Sequence, residues 1–356
     1  MGMSSPARRR ERFYTGLAAC AGALAMGTAL AQPSSEALTY PDGTPHPMTA
    51  WGDPDLQGTW PIMNLFSTPL QRPEQYGERE YLTDEEYARA EGTLQRREQA
   101  YEQEIKTNKM GMGHWAETTT TSDAARLTSL TVYPPNGQFP GLTARGEALR
   151  PQFGSDDTRQ VFDSPTDDFD SWDRCITRGM PSSMLPFNYN NGIRIIQSPG
   201  YVVIDIEMIH ESRIVPIDGR PSLDPAIKEW MGESRGHWEG ATLVVETTNY
   251  NGQVNMTNVG IPGSPRGDTP STTGMRTTER FTRVSDDHIN YELTIEDPEV
   301  LNDKWVIRYP MQLDNSYQFF EYACHEDNTA VRNFIETSRY ERGLTPAGKP
   351  REDVEE

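Results

Sequence analysis

Beyond residue 192 the chain keeps returning to one pattern: a short apolar or alternating run, then turn residues, then another run. The runs are 193–197, 201–206, 213–216, 242–248, 276–284, 288–296, 305–311 and 316–324. Runs of this length and period read as strands rather than helices. "VSDDH" between 276–284 and 288–296 supplies a tight hairpin connection. Strands this closely spaced, mostly with short links, predict a mainly β fold. The expected form is an antiparallel lipocalin-like barrel or a curved sandwich. One short helix is expected among them, with Asp224 as cap, Pro225 at its first position and a stop before Gly232.

The preceding region carries different signals. "WGDPDLQGTW" (51–60) combines Gly-Asp-Pro turn chemistry with two tryptophans and reads as an anchored loop entering the first strand. Thr83 and Glu86 make a capping box for a helix running to about Ile105. Its apolar stripe is thin (Tyr87, Leu94, Tyr101, Ile105), so the helix is expected to lie solvated on the surface. Residues 51–150 thus form an N-terminal loop and helical appendage packed on a β domain of 151–340. The Pro/Ser-rich stretch 32–50 reads as a flexible arm, and 341–356 as a polar tail.

The first 31 residues have the parts of a signal peptide. Arg8, Arg9, Arg10 and Arg12 form a basic n-region, 17–30 is uncharged, and Ala29-Leu30-Ala31 fits the cleavage rule. General and twin-arginine export both stay open. A periplasmic or secreted location follows, with no membrane insertion after cleavage, because no other stretch approaches about 20 apolar residues. The formal charge is −20, and more negative once the n-region is gone. That balance excludes a basic nucleic-acid face, so no nucleic-acid partner is expected. Cys20 leaves with the leader. Cys175 and Cys324 remain as an even pair in an oxidising compartment, where a structural disulfide is the ordinary outcome.

Candidate chemistry concentrates in two stretches. If 201–213 is one regular strand, Asp205, Glu207, Glu211 and Arg213 share one face, and Ile204, Ile206, Met208 and His210 the other. His210 then lies on the apolar face, unless a bulge near Ile209 reverses it. Asp205 and Glu207 would act as acid or base if a barrel turned them inward. In 317–327, a strand would place Glu321 beside His325, a carboxylate that orients an imidazole base; Glu326 follows directly. Arg174, Arg178, Arg213, Arg220, Arg235 and Arg280 are able to grip a carboxylate, although ion pairing within so acidic a chain suits most of them better. Trp238 is expected to plug the end of the barrel, and Glu246 on its strand is a better site candidate than His237. No HxH, HExxH or CxxC spacing supports a metal, and no Gly-rich phosphate loop supports a nucleotide, so no cofactor is expected.

Seven stretches together resemble a large uncharacterised family of exported Gram-negative and acidobacterial proteins. They are "WGDPDLQGTW", "RLTSLTVYPPNGQFPGLT", "RCITRGMP", "VPIDGRPS", "WMGESRGHWEGATLVVETTNY", "TERFTRVSDDHINYELTIEDP" and "FEYACHED". The resemblance spans almost the whole mature chain and implies export and a β-rich fold, but no particular reaction. The chain departs from the pattern at Ala241, at "NDKWVIRYP" and at Asp327. Both cysteines fall inside family-like motifs, which implies a disulfide from the loop before the β domain to its last strand. Such a bond would bring Arg174 and Arg178 close to His325 and Glu326.

The expectation for function is an exported protein that binds a small, partly apolar ligand and transforms it by cofactor-free acid–base chemistry, as a lyase, isomerase or hydrolase. His325, Glu326, Glu207 and Asp205 are the catalytic candidates. Arg178, Arg235, Trp238, Glu246, Tyr322 and His210 are the ligand-binding candidates. The competing reading is a non-catalytic periplasmic structural or interaction protein. No sequence feature selects an oligomeric state.

Overall fold

The alternating runs become hydrogen-bonded ladders. The computed structural model describes residues 38–111, 113, 125–153, 160–257, 263–265, 269–326 and 328–351; the expected leader lies outside the described residues. In chain order the elements are β1 (Gly58–Thr59), α1 (Asp84–Lys106), β2 (Thr131–Tyr133), α2 (Ala144–Leu149), β3 (Ile193–Ser198), β4 (Tyr201–Ile206) and β5 (Glu211–Pro216). They continue as β6 (Glu233–Glu239), β7 (Thr242–Thr248), β8 (Arg276–Arg283), β9 (His288–Glu296), β10 (Trp305–Gln312) and α3 (Ala330–Glu341).

The strands make two antiparallel sheets, ordered β1-β3-β4-β5 and β2-β10-β9-β8-β7-β6. Among the described residues no ladder joins the two, so the strands do not close into a barrel. Two edge strands come from the region expected as an appendage. β1 pairs with β3 through Gly58↔Ile195 and Thr59↔Arg194, and β2 pairs with β10. Residues 38–50, expected as a flexible arm, are bridged at Thr39↔Pro45 and Met48↔Pro54, with Tyr40 and His46 buried.

Register decides which residues enter the core. β3 and β4 alternate so that Ile193, Ile195, Val202, Ile204 and Ile206 face inward. Leu243, Val245, Phe281, Tyr291, Leu293, Ile307 and Tyr309 of the six-stranded sheet belong to the same core. Burying each such side chain contributes roughly 1.5–3 kcal/mol. In the middle of this core Arg213 of β5 meets Glu279 of β8. Nη1 donates to Oε1 at 2.9 Å, and Nη2 donates to Oε2. Tyr291 donates to the same carboxylate at 2.9 Å, and Ser234 and Thr247 take further N–H bonds from Arg213. Burial opposes the Arg213 charge, but the facing Glu279 outweighs it and holds the guanidinium above its usual value.

Several local expectations are corrected. Residues 201–213 are not one strand: Ile209 and His210 take positive φ of 61° and 46°, a left-handed conformation costly for a β-branched residue. The chain reverses there, pairing Ile206 with Glu211 and Ile204 with Arg213. Arg213 therefore faces inward with Ile204, whereas Asp205 faces outward and accepts from Ser212 Oγ at 2.7 Å. Residues 316–324 form no strand; the Phe320 N–H goes to a side chain rather than to a ladder partner, as described below. Residues 232–240, expected as a loop, contain β6. Gly232 and Gly240 bound it with φ of +66° and +59°, and pairing with β7 runs from Glu233↔Thr248 to Glu239↔Thr242. The helix expected after Asp224 does not form; Glu229 instead bridges Tyr250 and binds Asn251 N–H.

Helix α1 follows its sequence. Thr83 Oγ1 accepts from Glu86 N–H at 3.3 Å, and Glu86 Oε2 accepts from Thr83 N–H at 2.8 Å. Leu94 is its buried side chain, so it lies solvated as expected. Helix α3 was not anticipated. It packs Ile335 against Phe162 and Phe169, while Asp163 accepts from Arg339 and Arg342.

Candidate functional site

The reversal at 207–210 organises one end of the four-stranded sheet. Glu207 is 2 % exposed and accepts three hydrogen bonds: Gly192 N–H at 2.9 Å, Tyr317 hydroxyl at 2.6 Å and Phe320 N–H at 2.6 Å. These bonds tie the segment after β10 to the β4–β5 turn. His210 Nδ1 donates to the Tyr322 carbonyl at 3.0 Å, extending the same seam. The disulfide Cys175–Cys324 then fixes the segment to the loop before β3. A buried carboxylate that holds three donors from separate segments is committed to the frame, so Glu207 acts here as a clamp.

Beside this seam the two sheets part. β5 and β6 approach closely at Gly236, where a Cβ would come within 2.9 Å of Val215 Cγ1 and 2.8 Å of Ile217 Cγ2. Toward Glu211 and Glu233 they leave a cleft of ≈ 540 Å3, lined by residues 211–214 and 228–235. That size suits a small-molecule site, which spans roughly 300–1,000 Å3. Arg213 and Ser234 form part of its lining, and Trp230 and Met231 supply apolar surface. Lys228 stands at the rim, its Nζ donating to the Thr273 carbonyl at 3.3 Å.

Glu211 is the titratable group that distinguishes the cleft. Burial pushes its carboxyl above the usual carboxylate range; the Thr177 hydroxyl, Arg213 and His210 pull against that shift. Thr177 Oγ1 donates to Oε2 at 2.6 Å, so one oxygen is anchored from behind. A half-buried carboxyl with a raised proton affinity, placed on a cleft wall, has the attributes of an acid–base group.

The sequence candidates divide into groups. Glu207, His210, Tyr322, Arg178 and the disulfide come together: Tyr322 receives a bond from Trp172 Nε1 at 3.2 Å, and Trp172 lies against Arg178. His325 and Glu326 are exposed in the turn after Cys324, so the disulfide brings Tyr322, rather than His325, to Arg178. His210 is exposed rather than on an apolar face. Arg235 lines the cleft but pairs with Glu233 and donates to the Ser234 and Pro221 carbonyls. Trp238, half-buried against the core, sits at the β6–β7 hairpin, and Glu246 is exposed on β7. Neither lines the cleft.

Internal pairing accounts for most of the arginines: Arg213 with Glu279, Arg220 with Asp218, Arg235 with Glu233 and Arg280 with Glu239. Glu211 and Trp230 were missed because a strand read as continuous and a helix that does not form hid the cleft between them. Glu279 carried one signal, a charged residue placed in register with Phe281 on the alternating face of β8. Among the described residues no group of three His, Cys, Asp or Glu side chains is arranged to hold a metal ion. Compared with protein-family models, curated proteins and solved structures, the chain matches none.

Proposed function

We propose that the chain is an exported, curved β-sandwich protein that binds a small, partly apolar molecule in the cleft between β5 and β6. The observation that carries this reading is Glu211, a carboxyl raised by burial on the wall of a cleft of ≈ 540 Å3. Trp230 and Met231 suit an apolar body, and Glu211 suits a group that gives or takes a proton. Acid–base chemistry without a cofactor, of the lyase, isomerase or hydrolase kind, is then centred on Glu211 in place of His325. The basic leader and the disulfide both accord with a periplasmic or secreted location. No helix among the described residues is long and apolar enough to cross a membrane.

A second reading, a non-catalytic interaction protein, draws on the outer face of the four-stranded sheet. There Ile196, Val203 and Ile214 pair in a row, with Ile196 45 % and Ile214 62 % exposed. Thermal-shift screening of the mature chain against small acids, amines, phenols and sugars separates the two. The cleft reading expects a stabilising compound whose effect disappears in Glu211→Gln and Trp230→Ala while both variants stay folded. Stabilisation unchanged in both variants, or absent across the panel, overturns it.

A further inference from the structure

β5 ends the four-stranded sheet. It pairs with β4, and among the described residues no ladder reaches it from β6. Beyond its end the Ile217 N–H donates to the Gly200 carbonyl, on the β4 side of the strand. Backbone groups point to alternate sides along a strand, so Val215 and Arg213 also turn theirs to β4. Ser212 and Ile214 turn theirs away from it. The N–H and carbonyl of both have no hydrogen-bond partner among the described residues. Pro216, which has no N–H to offer, ends the open stretch.

The same two residues line the cleft of ≈ 540 Å3 between β5 and β6. Ile214 carries its side chain on the outer face of the sheet, so its backbone is what borders the cleft. Across the cleft the edge of β6 is less open. Arg235 Nη1 donates to the Ser234 carbonyl at 2.9 Å, and β6 closes on Val215 and Ile217 at Gly236. An open edge is a template for another strand. A ligand without a peptide backbone would cover these groups and leave some of them unmet, at the cost of the lost hydrogen bonds.

We propose, resting on the cleft reading above, that the ligand is a short extended peptide that adds to β5 as an antiparallel strand. The peptide residues opposite Ser212 and Ile214 each exchange an N–H and a carbonyl bond, which satisfies every open group. A parallel segment needs a longer stretch to reach the same groups. The residue between them lies opposite Arg213 and points the same way, into the cleft. Trp230 and Met231 suit an apolar side chain there. Arg213 and Arg235 are already paired, with Glu279 and Glu233. Glu211 and Glu229 then outnumber Lys228 on the walls, which favours basic residues on either side.

The probe is acetyl-Lys-Thr-Leu-Thr-Lys-amide, titrated calorimetrically into the mature chain. Saturable binding is expected. Methylating both Thr nitrogens removes the N–H groups that face β5 and should weaken binding by at least about tenfold. Methylating the Leu nitrogen, which faces the other way, should weaken it far less. Ile214→Pro removes one open N–H, is tolerated on an edge strand and should also weaken binding. The methylated peptides decide the matter on wild-type protein even if that variant does not fold. No binding, or equal loss from Thr and Leu methylation, overturns the proposal. So does a wild-type dimer in sedimentation that excludes the peptide, which would put a second copy of the chain on β5. If small compounds bind through Glu211 and Trp230 while the peptide does not, the peptide falls and the cleft reading stands. Failure of the cleft reading looks different: the alternating methyl sensitivity persists while Glu211→Gln and Trp230→Ala change nothing.

Discussion

Glu207 and Glu211 lie four residues apart in the sequence and meet opposite environments. Glu207 accepts from Gly192, Tyr317 and Phe320, and so becomes part of the frame. Glu211 accepts from Thr177 on one oxygen, and burial raises its proton affinity. The sign of the linkage follows: a carboxyl raised in the folded state favours folding below its unfolded value, and that contribution fades as pH rises through the folded value. Glu211→Gln removes a buried ionisation, so the variant should gain stability relative to wild type on going from pH 4 to pH 8. Parallel urea denaturation at the two pH values measures it. A difference in the reverse direction would mean that Thr177 and Arg213 outweigh burial.

At the scale of elements, local rules succeed where solvent surrounds the chain. The capping box at Thr83 and Glu86 appears as its residues dictate, because little tertiary packing competes with it. Thr83→Ala should cost about 1 kcal/mol, felt within α1. Hydrogen exchange over residues 84–106 should accelerate while the sheets keep their protection; uniform acceleration would show that α1 is coupled to the core. Apart from β6, the strands from 193 to 312 were legible for a related reason, since alternation leaves one consistent face to bury. Residues 316–324 were not; there Glu207, distant in the chain, takes the Tyr317 hydroxyl and the Phe320 N–H. Nor was β6, where glycines and charged residues mask a ladder that β7 imposes.

For the whole molecule, Arg213 and Glu279 form a buried ion pair that joins the two sheets within their shared apolar core. Glu279→Ala strands a buried cation and should cost about 3–5 kcal/mol. Arg213→Met combined with Glu279→Leu should recover most of that loss, because two apolar side chains need no partner. Equilibrium unfolding of the single and double variants decides; a double variant no better than the single would mean that Ser234, Thr247 and Tyr291 depend on the pair.

Period, turn chemistry and capping act over a few residues, and so the sequence by itself determined the mainly β character, the antiparallel hairpins and α1. The two cysteines outside the expected leader also pointed to the Cys175–Cys324 bond. Tertiary structure alone decided that two separate sheets form, that Arg213 turns inward and that Glu211 lines a cleft. The left-handed turn at Ile209 and His210 reverses every face after it, and which edges stay unpaired depends on strands far apart in the chain. Such long-range pairing leaves no local periodic trace, which is why the cleft beside Glu211 was hidden in the sequence while several of its candidates lie near Arg178.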